Sequence, residues 1–175
     1  MKKTLIVLIA FLNFVPMLHA QHFSFPEMAG KKPGMALLDS KSTGVVVEFS
    51  IPEFTMEDVQ VEGRAMKSVQ LPGCFLFNEE GMPNLPGKGG FIAIPSGSAP
   101  RLKILSVKTE LIPMVDLAPA PRIPLDNEPG PLEFKRNQAV YSKNEFFPAL
   151  PAILSETGNF RGIDVVSLGI TPFQY

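Results

Sequence analysis

The sequence predicts an all-β protein, an antiparallel β-sandwich with one long Pro-rich loop. Three observations carry that reading. Period-two alternation recurs in short runs, most clearly where Val45, Val47, Phe49 and Ile51 face one way and Val46, Glu48 and Ser50 the other. Each run is closed by Pro or Gly, as Pro52, Pro72-Gly73 and Pro95 show. Beyond the first twenty residues, no segment of ten or more carries a helical period. No fixed-period repeat is visible either, which disfavours a propeller or solenoid.

The N-terminus has its own logic. Lys2 and Lys3 precede an apolar run from Leu5 to Phe14, then Pro16 and Leu18-His19-Ala20. This is the pattern of a bacterial secretory signal, with cleavage expected between Ala20 and Gln21. The run is shorter than the roughly 20 residues needed to span a bilayer, so a retained anchor fits less well. Export is therefore expected, to the periplasm, the outer membrane surface or the medium. The expected organisation is a signal peptide over 1–20, an extended lead-in over 21–43 and one β-sandwich domain over 44–175.

Composition narrows the function classes. Sixteen basic and seventeen acidic residues give a net charge of −1 with both signs interspersed, which points neither to nucleic acid nor, after signal removal, to a membrane surface. Cys74 is the only cysteine, so no intrachain disulfide can form in the oxidising space to which the signal directs the chain. Between Gly73 and Phe75 it reads as a small buried hydrophobe. As a nucleophile it lacks a base, because His22 is the only histidine after the signal. A zinc site fails on the same ground. No catalytic residue, metal site or cofactor is expected.

Along the chain, 21–42 mixes Gly, Pro, Lys and Ser without a sustained period, and order is expected from Gly44. Phe54 to Val61 and Met66 to Leu71 are the next strands, joined by a Glu62-Gly63-Arg64 turn. Gly81-Met82-Pro83-Asn84-Leu85-Pro86 is a turn that delivers the chain into the strand Phe91 to Pro95. Apolar residues on both parities of that strand predict cover on both faces. Arg101 to Leu111 is expected to resume the ladder, with Leu105, Val107 and Leu111 on one side. Six prolines (Pro113, Pro119, Pro121, Pro124, Pro129 and Pro131) then exclude a central strand and predict an extended surface loop, either solvated or reaching into a partner. Tyr141, Phe146 and Phe147 are expected to pack in the core or at a sheet edge. Val166, Leu168 and Ile170 form the last strand. Ending on Tyr175 directly after it predicts that more chain follows.

The order of these marks resembles a known family. Gly81-x-Pro83-x-Leu85-Pro86, the Phe91 strand, Leu117-Ala118-Pro119, Tyr141-x-x-Asn144-x-Phe146-Phe147-Pro148, Arg161-Gly162 and Pro172-x-Gln174-Tyr175 together resemble the N-terminal propeptide of the gingipain family of secreted cysteine proteases. That resemblance runs from about Val45 to the last residue. It implies a β-sandwich prodomain that helps fold a downstream catalytic domain and covers its cleft until cut away. The implied partner is the cognate cysteine protease catalytic domain, whose own His and Cys would lie beyond Tyr175. In arginine-specific members a basic residue from a prodomain loop enters the specificity pocket and meets an acidic group there. The loop after Leu117-Ala118-Pro119 makes Arg122 the inhibitory candidate. Lys135, Arg136 or no plug at all are the alternatives. A secreted β-sandwich adhesion or binding module, with no protease attached, is the competing function.

Overall fold

The computed structural model describes residues 20–75, 78–127 and 130–175. In chain order the strands are β1 (Ala20–Ser24), β2 (Gly34–Lys41), β3 (Gly44–Ser50), β4 (Glu53–Val61), β5 (Arg64–Gln70), β6 (Lys88–Ala93), β7 (Ala152–Leu154), β8 (Gly158–Phe160) and β9 (Ile163–Ile170). A single helical turn, α1 (Gln138–Tyr141), starts at Asn137, whose side chain accepts from the Ala139 N–H. Three antiparallel sheets result, ordered β1-β4-β5, β2-β3 and β6-β9-β7, with β8 also on β9. The expected antiparallel all-β architecture is present.

Turn chemistry sets the hairpins. Glu62 and Gly63 both take positive φ, 50° and 76°, which matches the twist of the β4 and β5 strands they join. Arg161 and Gly162 repeat the device between β8 and β9, with φ of 53° and 86°.

The main core gathers Phe54, Met56, Val69, Leu71, Cys74, Leu85 and Leu117. Phe54 is held from both ends of the chain: Phe23 stacks on it at 4.6 Å, and Phe173 meets it edge-on at 5.0 Å. The cross-strand partners Met56 and Val69 face this core, whereas Val61 and Met66 face a second cluster with Ala118. The β4-β5 hairpin is thus used on both faces, one at each end.

Four local expectations are corrected. Order does not wait for Gly44: within the extended 21–43 stretch, β1 lies along β4 and β2 along β3. Its period was hidden because the β2 register shifts between Leu37 and Asp39, and Leu37 and Leu38 both face solvent. Arg101 to Leu111 joins no ladder among the described residues. Alternation is necessary for a strand, but a strand also needs a neighbour. Phe91 is exposed rather than covered, because only the opposite face of its sheet, with Val166 and Leu168, is buried. Finally, the Pro-rich segment is not all surface: Leu117, Ala118, Pro119 and Ala120 are buried.

That last correction has a simple cause. The Ala118 N–H donates to the Lys67 carbonyl at 2.8 Å and the Ala120 N–H to the Met82 carbonyl at 2.7 Å. Pro119 and Pro121 fall at the alternate positions, where no donor is required. The segment is therefore inserted between β5 and the Gly81–Asn84 turn despite its prolines.

Gly81 is fixed by the same arrangement. Its φ is 80°, and a Cβ there would lie 2.7 Å from the Lys135 carbonyl oxygen and 3.1 Å from the Asn137 nitrogen. Gly81→Ala is expected to destabilise the fold by at least about 2 kcal/mol, read as a lower urea midpoint with unchanged slope. Gly63→Ala, with φ of 76° and open space around the new methyl, should cost only about 1 kcal/mol.

Candidate functional site

Several of the separated sequence marks meet along one seam. The Gly81 N–H donates to Ala120 and the Asn84 N–H to Ala118, so the Gly81–Pro86 turn lies against Leu117-Ala118-Pro119. A Pro83–Pro119 bridge closes the pair. Tyr141, at the end of α1, donates from its hydroxyl to the Leu117 carbonyl at 3.1 Å and packs its ring 5.4 Å from Tyr175. Phe147 and Tyr175 exchange two backbone hydrogen bonds of 2.8 Å. Gln174 donates to the Pro148 carbonyl at 2.7 Å, beside the cis Phe147-Pro148 peptide. The seam is mostly backbone held by backbone, with the Tyr141 hydroxyl and the Gln174 amide adding side-chain bonds to carbonyls.

Above the seam, Asp116 accepts from Arg136 and pairs with Arg64 at 2.9 Å. Arg136 also lies over the Tyr141 ring, 4.4 Å from its centre, and its side chain is only 16% exposed. Burial raises the Tyr141 phenol well above its ordinary value, with the nearby Arg136 charge opposing the shift. Arg136 is thereby held against the fold by Asp116 and Tyr141. The exposed Lys135 lies beside it in the chain, and its carbonyl abuts Gly81.

Arg122 sits differently. Its N–H donates to the Glu133 carbonyl at 2.7 Å, an antiparallel bridge that closes the loop 123–132. Its guanidinium lies 3.7 Å from the Glu133 carboxylate, with the two side chains 48% and 72% exposed. Ile123, Leu125 and Leu132 in that loop all face solvent. Sequence reasoning passed over these three apolar side chains, since a Pro-rich loop carries no period by which to recognise a face. Arg122 therefore stands at the base of an exposed, partly apolar loop anchored to the seam through Ala120.

Groups with reactive potential are not assembled. Cys74 is buried, and desolvation pushes its thiol above the ordinary range, partly offset by the Lys88 charge. His22 pairs with the exposed Glu53 at 3.4 Å. Among the described residues, no three His, Cys, Asp or Glu side chains are grouped to hold a metal, and no helix is long and apolar enough to cross a membrane. The expected signal lies outside the described residues except for Ala20, the exposed first residue of β1.

Two measurements check this geometry. Asp116→Ala, which leaves the part-buried Arg136 without its carboxylate, should cost about 2 kcal/mol in urea unfolding. Iodoacetamide at pH 8 should modify Cys74 only as fast as the domain unfolds, so native and urea-unfolded protein should differ by orders of magnitude in labelling rate.

Comparison with known proteins agrees with this description. The curated relatives include Lys-gingipain HG66 and Lys-gingipain W83 of Porphyromonas gingivalis, each 28% identical over 133 residues, which cover 73% of this chain and 8% of the relative. The chain thus spans less than a tenth of the length of those relatives. Among solved structures, a complex of Porphyromonas gingivalis RgpB pro- and mature domains matches with a TM-score of 0.74 and 22% identity, over 83% of this chain and 76% of that one. A structure on the zymogenic latency of gingipain K from the same organism matches with a TM-score of 0.71 and 23% identity, over 90% and 88%. At those identities the structural likeness establishes the fold. The Propeptide_C25 family model matches residues 26–175, nearly the whole described chain, and this protein belongs to that family as a non-catalytic propeptide domain of the gingipain type.

Proposed function

We propose that this domain keeps a gingipain-like cysteine protease latent and assists its folding, after export under the N-terminal signal. The family match across residues 26–175 carries the reading. The relatives add to it, because the chain corresponds to 8% of their length, and two solved neighbours concern a pro- and mature-domain complex and zymogenic latency. The partner is the catalytic domain encoded in the same reading frame.

Arg122 is the inhibitory side chain in this reading. A guanidinium presents a planar fork that pairs a carboxylate in two-point fashion, which suits an acidic specificity pocket. Its exposed pair with Glu133 is worth at most about 1 kcal/mol in water. A carboxylate in the specificity pocket would compete with Glu133 for that fork. The exposed Ile123 and Leu125 flank it and would be covered in the same step.

Purified domain titrated into the mature catalytic domain should inhibit it stoichiometrically; full activity at saturating domain would sink the reading. Arg122→Ala should raise the inhibition constant by about 10- to 100-fold, the range for a hydrogen bond to a charged group. An unchanged constant would remove Arg122 and leave Lys135 as the basic side chain to test. A stop codon shortly after residue 175 would instead favour the adhesion-module reading.

A further inference from the structure

The segment from 101 to 112 has the alternation of a strand and none of a strand's partners. Leu105, Val107 and Leu111 share one parity, while Leu102 and Ile104 occupy the other. All five face solvent, from 42% exposed at Leu102 to 83% at Leu111. No turn or bend interrupts the chain from Ser98 to Pro113, and among the described residues none of 101–112 enters a bridge or ladder. A few residues further on, Ala118 and Ala120 satisfy every donor they have. The contrast is between a Pro-rich segment that is paired and a Pro-free one that is not.

Both ends of the segment are tied down. Before it, Ile94 donates to the Asp164 carbonyl and Ser98 closes a turn on Pro95. At its far end Ile112 packs against the main core, and beyond it Val115 does the same while Lys67 donates to the Asp116 carbonyl. In its middle, Lys108 forms an ion pair with Glu27 in the turn that follows β1. The stretch is thus held on the fold with residues 101–111, their apolar side chains included, exposed.

We propose that residues 101–112 are a docking strand, which adds by main-chain hydrogen bonds to a sheet edge of the catalytic domain that this propeptide accompanies. The proposal rests on the latency reading above and names a second contact within it, separate from Arg122. Continuity favours this occupant: the segment runs through Pro113 and the buried 117–120 stretch into the loop that carries Arg122. Charge disfavours a second copy. Arg101, Lys103 and Lys108 outnumber Glu110, so two such strands side by side would repel, whereas an edge carrying acidic groups would attract.

Strand addition makes a prediction that simple apolar contact does not. Along an added strand, successive N–H groups point to opposite sides, so only alternate residues donate to the new neighbour. Proline at a donating position breaks a bond, while proline at its neighbour is tolerated. Ser106→Pro and Val107→Pro should therefore differ: one should weaken inhibition of the mature catalytic domain by about tenfold or more, the other by less than about threefold. Thermal unfolding of both isolated variants should match the parent, since Ser106 and Val107 are exposed and enter no ladder among the described residues. Hydrogen exchange should show fast amides over 101–112 in the free domain and alternate protection in the complex.

The outcomes separate. If the parent domain fails to inhibit, the latency reading itself falls. If the parent inhibits and both prolines leave the constant unchanged, or weaken it equally, the docking strand is overturned while latency stands. A dimeric parent that either proline converts to a monomer, with inhibition intact, would assign the segment to a second copy and overturn the proposal as well.

Discussion

Much of this fold depends on one backbone arrangement, the seating of residues 116–120 between β5 and the Gly81–Asn84 turn. On one side Asp116 accepts from Lys67, and Ala118 donates back to it. On the other, Ala118 and Ala120 exchange bonds with Asn84, Met82 and Gly81. A buried stretch must satisfy its amides, and here it does so with prolines at the positions that have no donor to satisfy. The seam is also why Gly81 must be glycine, because the chain from Lys135 to Asn137 passes directly over it.

The seam orders what surrounds it. It presents the Leu117 carbonyl to Tyr141, which in turn places Tyr175 and, through it, Phe147. It also sets Asp116 where it can hold Arg136 and Arg64 together. On the far side of Ala120 the chain is released into the loop closed by Arg122 and Glu133. A rigid anchor followed at once by an exposed loop is a suitable base for an inhibitory segment, since the ordering of the base is complete before any partner arrives.

The surface is divided accordingly. The face of the β6-β9 sheet that carries Val166 and Leu168 is buried, while Phe91 and Ile153 stand on the other. Apolar residues also line the 101–112 segment and the 122–133 loop. For a domain of this size, so many exposed Leu, Ile, Val and Phe side chains are unusual for a free-standing molecule and fit one that works against a larger body.

The sequence by itself determined the strand class, the Gly and Pro boundaries, the hairpin at Glu62-Gly63 and the burial of Cys74. Each of these depends on local chemistry: alternation, turn propensity, and the absence of a base near a small apolar side chain. It also carried the ordered marks of the family, several of which form the seam, brought together across more than ninety positions from Gly81 to Tyr175, while the Phe91 strand and Arg161-Gly162 belong to the β6-β9 sheet and its β8-β9 turn. What only the tertiary structure decided was pairing. Alternation at 101–111 was read as a ladder strand, yet it joins no neighbour among the described residues; proline density at 117–121 was read as surface, yet its donors fall at the permitted positions. Likewise, Arg122 and Arg136 are equivalent as letters. Burial against Tyr141 and Asp116 holds one against the fold, and exposure at the base of a loop leaves the other at the surface. Hydrogen-bond partners distant in sequence are what local pattern cannot specify, because the same alternation suits any edge that the rest of the chain supplies.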